Sequence, residues 1–96
     1  MSVSELNQLS NRDLITELWG ADVLNAIDHQ HTVPMTMDDF LSNHCYACGG
    51  NWGAMLLTGI KALYPDVYDA IPEQMGHYAF RCICTVLELL QIGGEE

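Results

Sequence analysis

The stretch Tyr78-Ala79-Phe80-Arg81-Cys82-Ile83-Cys84-Thr85-Val86-Leu87-Glu88-Leu89-Leu90-Gln91-Ile92 decides the fold class. Its β-branched and aromatic residues give the first half some strand propensity. At about 100° per residue, however, Ala79, Phe80, Ile83, Val86, Leu87 and Leu90 fall on one stripe, the pattern of an amphipathic helix. The ends agree with a helix. Pro72 followed by Glu73 suits a first helical turn, and Gly93-Gly94 suits a C-terminal cap. The spacing therefore predicts one long helix over 72–92.

Upstream segments read the same way. Asn51 caps a helix carrying Trp52, Leu56, Ile60 and Leu63, which Pro65 ends. Residues 66–71 offer one or two further turns, with Val67, Ala70 and Ile71 apolar. Thr36 with Asp39 marks a start before Met37, Phe40 and Leu41. That helix lasts about two turns, because His44-Cys45-Tyr46-Ala47-Cys48-Gly49-Gly50 follows. Ser10 with Asp13 opens a run of Leu14, Ile15, Leu18, Trp19, Val23 and Ile27, with Gly20 as a point of breakage. Ser2 with Glu5 is a similar start. In each pair the hydroxyl accepts an orphan amide and the acid favours the positive end of the helix. Asp28 to Pro34 is a polar connector. The expected fold is all-α: a single domain over 1–96, a compact bundle of four or five helices with a Cys-x-x-Cys zinc knuckle between helices.

Composition sets the function classes. The 96 residues carry 13 Asp and Glu against 3 Lys and Arg, a formal net charge of −10, with 49% apolar residues. A core can form, and intrinsic disorder is excluded because it needs low hydrophobicity as well as charge. The cations Arg12, Lys61 and Arg81 are scattered, so no patch can track a phosphate backbone or hold an anionic membrane. Met1 to Glu5 lacks the positive, apolar pattern of a signal peptide. Ala79 to Ile92 is interrupted by Arg81 and Glu88 and falls short of the ~20 residues that span a bilayer. The expected location is cytoplasmic, where cysteines stay reduced.

Cys45-Tyr46-Ala47-Cys48-Gly49-Gly50 carries the chemistry. Two thiolates two residues apart chelate one Zn²⁺, and the glycines let the chain turn its amides toward the sulfurs. The segment resembles the zinc knuckles of ribbon and treble-clef modules over about six residues. Three ways complete a structural zinc site. Cys82 and Cys84 diverge by about 200° on a helix, so one of them at most reaches a shared metal. His29 and His31 lie in a connector from which both can turn to the knuckle. His77 with Cys84 is about 10 Å apart along a continuous helix. Around that helix Cys82 flanks Val86 and Leu89, the place of a buried thiol, whereas Cys84 flanks His77, Arg81 and Glu88. The expected ligands are Cys45, Cys48, Cys84 and His31, with Cys82, His29, His44 and His77 as substitutes.

No signature of catalysis accompanies the knuckle. A thioredoxin-like dithiol sits at a helix N-terminus, and Cys45 and Cys48 do precede a predicted helix, but the βαβ pattern is missing. There is no Gly-rich phosphate loop and no His-Glu-x-x-His helix. The chain reads as not an enzyme. A Cys45/Cys48 redox dithiol is the alternative, and a zinc-bearing interaction module of a host complex is another.

The acids are dispersed along predicted helix surfaces. Such a surface can serve solubility alone, or it can dock onto a basic partner such as a nucleic-acid-binding protein, with Tyr46, Trp52, Tyr64 or Tyr68 as anchors. In size, charge and the Cys45/Cys48 knuckle the chain resembles the anti-CRISPR proteins of phages and mobile elements, in particular inhibitors of type II RNA-guided nucleases. The resemblance implies a stoichiometric inhibitor that prevents target DNA from being loaded or cleaved in the nuclease's basic channel. It carries over no binding residues.

Overall fold

Three side chains start the helices where the sequence places them. In a computed structural model that describes residues 3–93, Ser10 accepts the Asp13 amide at 3.2 Å and Thr36 the Asp39 amide at 3.1 Å. Asn51 Oδ1 accepts the Ala54 amide at 3.0 Å. These bonds satisfy amides that the first turn leaves unpaired. The described residues form seven helices: α1 (Val3–Asn7), α2 (Asn11–Leu18), α3 (Ala21–Asp28), α4 (Met37–His44), α5 (Trp52–Leu63), α6 (Pro65–Ala70) and α7 (Ala79–Leu89). The expected start at Ser2 lies outside the described residues.

The all-α class holds, but the described residues contain seven helices rather than the four or five expected. Gly20, at φ 101°, separates α2 from α3, and Pro65 both ends α5 and opens α6. The predicted helix over 72–92 is shorter than expected. Its first seven residues are irregular, with Gly76 at φ 79°, and α7 starts only at Ala79. Trp19 pins this irregular segment by donating its indole N–H to the Met75 carbonyl at 3.2 Å. At its other end α7 closes at its C-cap Leu90, three residues before Gly93. Gln91 takes φ 64°, its amide reaches the Glu88 carbonyl at 3.0 Å, and the Ile92 amide reaches Leu87 at 2.9 Å. That pair of bonds is the Schellman pattern, here built on a non-glycine residue. An isolated parallel bridge, Met35 to Ile92, ties the start of α4 to the end of α7.

The helices enclose one core. α2 packs on α3 and α7, α3 on α6, and α5 on α4, α6 and α7. Ile15, Val23, Phe40, Ile60, Val67, Cys82, Val86 and Leu90 are completely buried. The radius of gyration is 12.9 Å, close to the ~12.5 Å expected of a globular chain this long. No helix among the described residues is long and apolar enough to cross a membrane.

Candidate functional site

The α4–α5 loop is held at both ends by α5. Tyr46 donates its amide to the Thr58 hydroxyl at 2.9 Å, and that hydroxyl donates to the Met55 carbonyl at 2.6 Å. Gly49 and Gly50, at φ 60° and 86°, turn the chain, and the Asn51 amide closes the turn on the Cys48 carbonyl at 3.1 Å. Residues with a Cβ adopt such angles at a cost, which explains both glycines. Behind the loop, Gly59 admits α4. A Cβ there would lie 2.4 Å from the Phe40 ring and 2.6 Å from Cys45 Sγ. Cys45 Sγ therefore sits directly against the α5 backbone, at the carbonyl end of α4.

This placement sets the thiol chemistry. Burial pushes the Cys45 thiol up from its ordinary value, the Gly59 backbone partly opposes that, and the neighbouring Cys48 adds to the rise. Burial likewise raises Cys82 and Cys84, with Glu88 adding to the effect on Cys84. A reactive dithiol needs its attacking cysteine lowered, as a helix N-terminus would do. The C-terminal end of α4 acts in the opposite sense.

Cys45 and Cys48 are neighbours, with Cys48 Sγ directed at the Tyr46 carbonyl at 3.5 Å. The other two expected ligands are not brought to them. His31 is exposed in the connector before α4, and Cys45 follows α4. The eight residues of α4 put about 12 Å of helix between those ends. Cys84 is half-buried on α7. Its neighbours on that face turn to α1 and α2: Arg81 donates to Asn7 at 2.6 Å, and Glu88 accepts from Asn11 at 2.7 Å. Among the substitutes, Cys82 is buried in the core, and His77 is exposed and outside α7. His29 bonds the Asn25 carbonyl at 2.6 Å. His44 is half-buried at the end of α4. Among the described residues no three His, Cys, Asp or Glu side chains converge to hold a metal ion.

A second feature surrounds the outer face of α5. Helix α5 reads Trp-Gly-Ala-Met-Leu-Leu-Thr-Gly-Ile-Lys-Ala-Leu, with Lys61 its one charge. Leu56, Gly59 and Ile60 are buried, whereas Ala54, Leu57, Thr58 and Lys61 line adjoining hollows of about 390, 520 and 310 Å³ that all share Leu57. Tyr46 walls the largest, Met75 and Phe80 another. Tyr46, Trp52 and Phe80 are 74%, 57% and 54% exposed. Of the expected anchors, Tyr46 and Trp52 are thus available, and Tyr68 is half-buried in the wall. Tyr64 is core. Phe80, expected in the buried stripe of the last helix, is exposed in the first turn of α7 instead.

Sequence reasoning missed Leu57, Met75 and Phe80 as surface features. The signal was present in α5: a helix apolar nearly all round has more apolar surface than one buried stripe uses. Compared with protein-family models, curated proteins and solved structures, the chain matches none of them.

Proposed function

We propose that the chain is a non-catalytic binding protein whose acidic surface docks onto a basic nucleic-acid enzyme and occludes its nucleic-acid channel. One observation carries this reading. Every described acidic side chain is exposed, while the three cations are engaged within the chain. Arg12 grips Asp28 through two bonds of 2.9 and 2.8 Å, Arg81 donates to Asn7, and Lys61 stands 5.3 Å over the Tyr68 ring. With 13 acids against 3 cations the outward field is negative overall, which steers a basic partner and disfavours nucleic acid itself.

Type II RNA-guided nucleases are the partner class to try first, because they hold a heteroduplex in a positively charged channel. The chain would act as an anti-CRISPR inhibitor in the cytoplasm of the host cell. The test adds purified chain to a nuclease–guide complex and follows target DNA binding and cleavage. Inhibition complete near one chain per complex, and weakened by added salt, is the expected result. Unimpaired cleavage with excess chain at low salt overturns the assignment.

Zinc belongs to the same proposal through Cys45 and Cys48, which stand just before the Gly49-Gly50 turn and would supply two thiolates. The remaining donors must come from outside that pair. Bound zinc would tie α4 to α5 and offset the burial that raises Cys45, since a coordinating thiol is deprotonated outright. Elemental analysis of chain purified without chelator should find about one zinc per chain, lost in Cys48→Ser. Metal-free protein, unchanged in melting by Cys48→Ser, removes zinc from the account.

A further inference from the structure

We infer that the outer face of α5 is a groove for an amphipathic helix of the partner, with its apolar stripe on Leu57 and its basic residues over Asp69 and Glu73. This inference rests on the docking reading above and gives it a place and a polarity.

The shape argument comes first. Ala54, Leu57, Thr58 and Lys61 stand on one face of α5 at helical spacing, and the hollows on either side of Leu57 open to solvent. The α6 side is walled by Tyr68, the α7 side by Met75 and Phe80, and the loop side by Tyr46. From Ala54 to Lys61 the face runs about 10 Å, room for roughly two turns of a docked helix. A helix laying one apolar stripe into the hollows around Leu57 fits this length, and strand addition would need an unpaired strand edge. The described residues hold no strand, only the Met35–Ile92 bridge.

Charge then selects the occupant. Asp69 and Glu73 line the hollow at the α6 end and are exposed. Lys61 lines the hollow beside Tyr46 and is held over Tyr68. Basic residues of the occupant therefore fall at the Asp69–Glu73 end, and neutral or acidic ones near Lys61. A second copy of this chain is disfavoured, since two chains of net charge −10 repel each other.

The test titrates the full chain with a capped synthetic peptide of about fourteen residues, Leu on one helical face and Lys on the other. A control keeps every Lys and replaces Leu by Ser. The expected result is 1:1 binding of the Leu/Lys peptide at least tenfold tighter than the control, a gap of the size expected of hot-spot anchors. Leu57→Glu and, independently, Phe80→Ser should each remove most of that gap while leaving the helical circular dichroism intact. Asp69→Asn with Glu73→Gln should flatten the salt dependence. Equal binding of the two peptides, insensitive to Leu57→Glu and Phe80→Ser, overturns the groove and leaves the acidic docking reading standing. No binding of either peptide at low salt overturns both. A chain that sediments as a dimer, with Leu57→Glu restoring the monomer, assigns the face to self-association and overturns the groove for a basic helix.

Discussion

The two faces of α5 differ in how closely they are met. On the inner face Gly59 lets Phe40 and Cys45 of the α4 end come so near that a methyl group would overlap both. On the outer face Leu57 borders open hollows, and Tyr46 and Phe80 lie exposed around it. Both faces are apolar, so hydropathy alone does not separate them. What separates them is what each meets: Gly59 lets α4 close over the inner face beside the buried Leu56 and Ile60, whereas Leu57 is left bordering open hollows.

The strongest way to break this contrast is to damage the closed face. Phe40→Ala removes a completely buried ring at the α4–α5 contact, with an expected loss of about 3–5 kcal/mol. Gly59→Ala adds one methyl where the nearest atom is 2.4 Å away, and should cost about 1–3 kcal/mol through forced repacking. Chemical denaturation reads both. A Gly59→Ala chain as stable as the parent would show that α4 and α5 are not in contact there.

Next in size is Cys82, completely buried on α7 and away from the knuckle. Cys82→Ala should behave as a small core truncation of about 1–2 kcal/mol, with metal content unchanged. Loss of zinc in that variant would make Cys82 a ligand. On the open face, Phe80→Ser should move stability by less than about 1 kcal/mol, yet it should weaken partner binding. A large fall in stability would place Phe80 in the core, as the sequence stripe suggests.

The smallest effect concerns the Arg12–Asp28 pair, whose partners are half-exposed. The bond from Arg12 holds the Asp28 carboxyl below its ordinary value of 3.8. Because the folded value is the lower one, the contribution is present at neutral pH and fades as pH falls through the folded value, below about 4. Asp28→Asn should therefore narrow the stability difference between neutral and acid solution slightly, and added salt should mask the change. A variant whose acid profile matches the parent at low salt would leave the pair without a role in stability.

These regions also divide what the sequence could tell. The caps at Ser10, Thr36 and Asn51 were legible because each is a side-chain bond to an amide three residues on, needing nothing distant. The start of α7 was misplaced because Pro72 offers a permissible first turn. The tertiary bond from Trp19 to Met75 instead holds residues 72–78 outside the helix. Phe80 stands exposed at the start of that helix, where the stripe alone placed it in the core. The Cys45/Cys48 pair was legible as a motif. Its expected completion by His31 and Cys84 needed the arrangement of α4, α5 and α7, which spacing alone does not encode.

The most direct test of the open face is a map of backbone amide chemical shifts during titration with the Leu/Lys peptide. The account predicts changes gathered on Ala54, Leu57, Thr58 and Lys61 and along 68–73, saturating at one peptide per chain. Changes spread over acids on other helices, such as Asp13, Asp22 and Asp38, with α5 undisturbed, would contradict it.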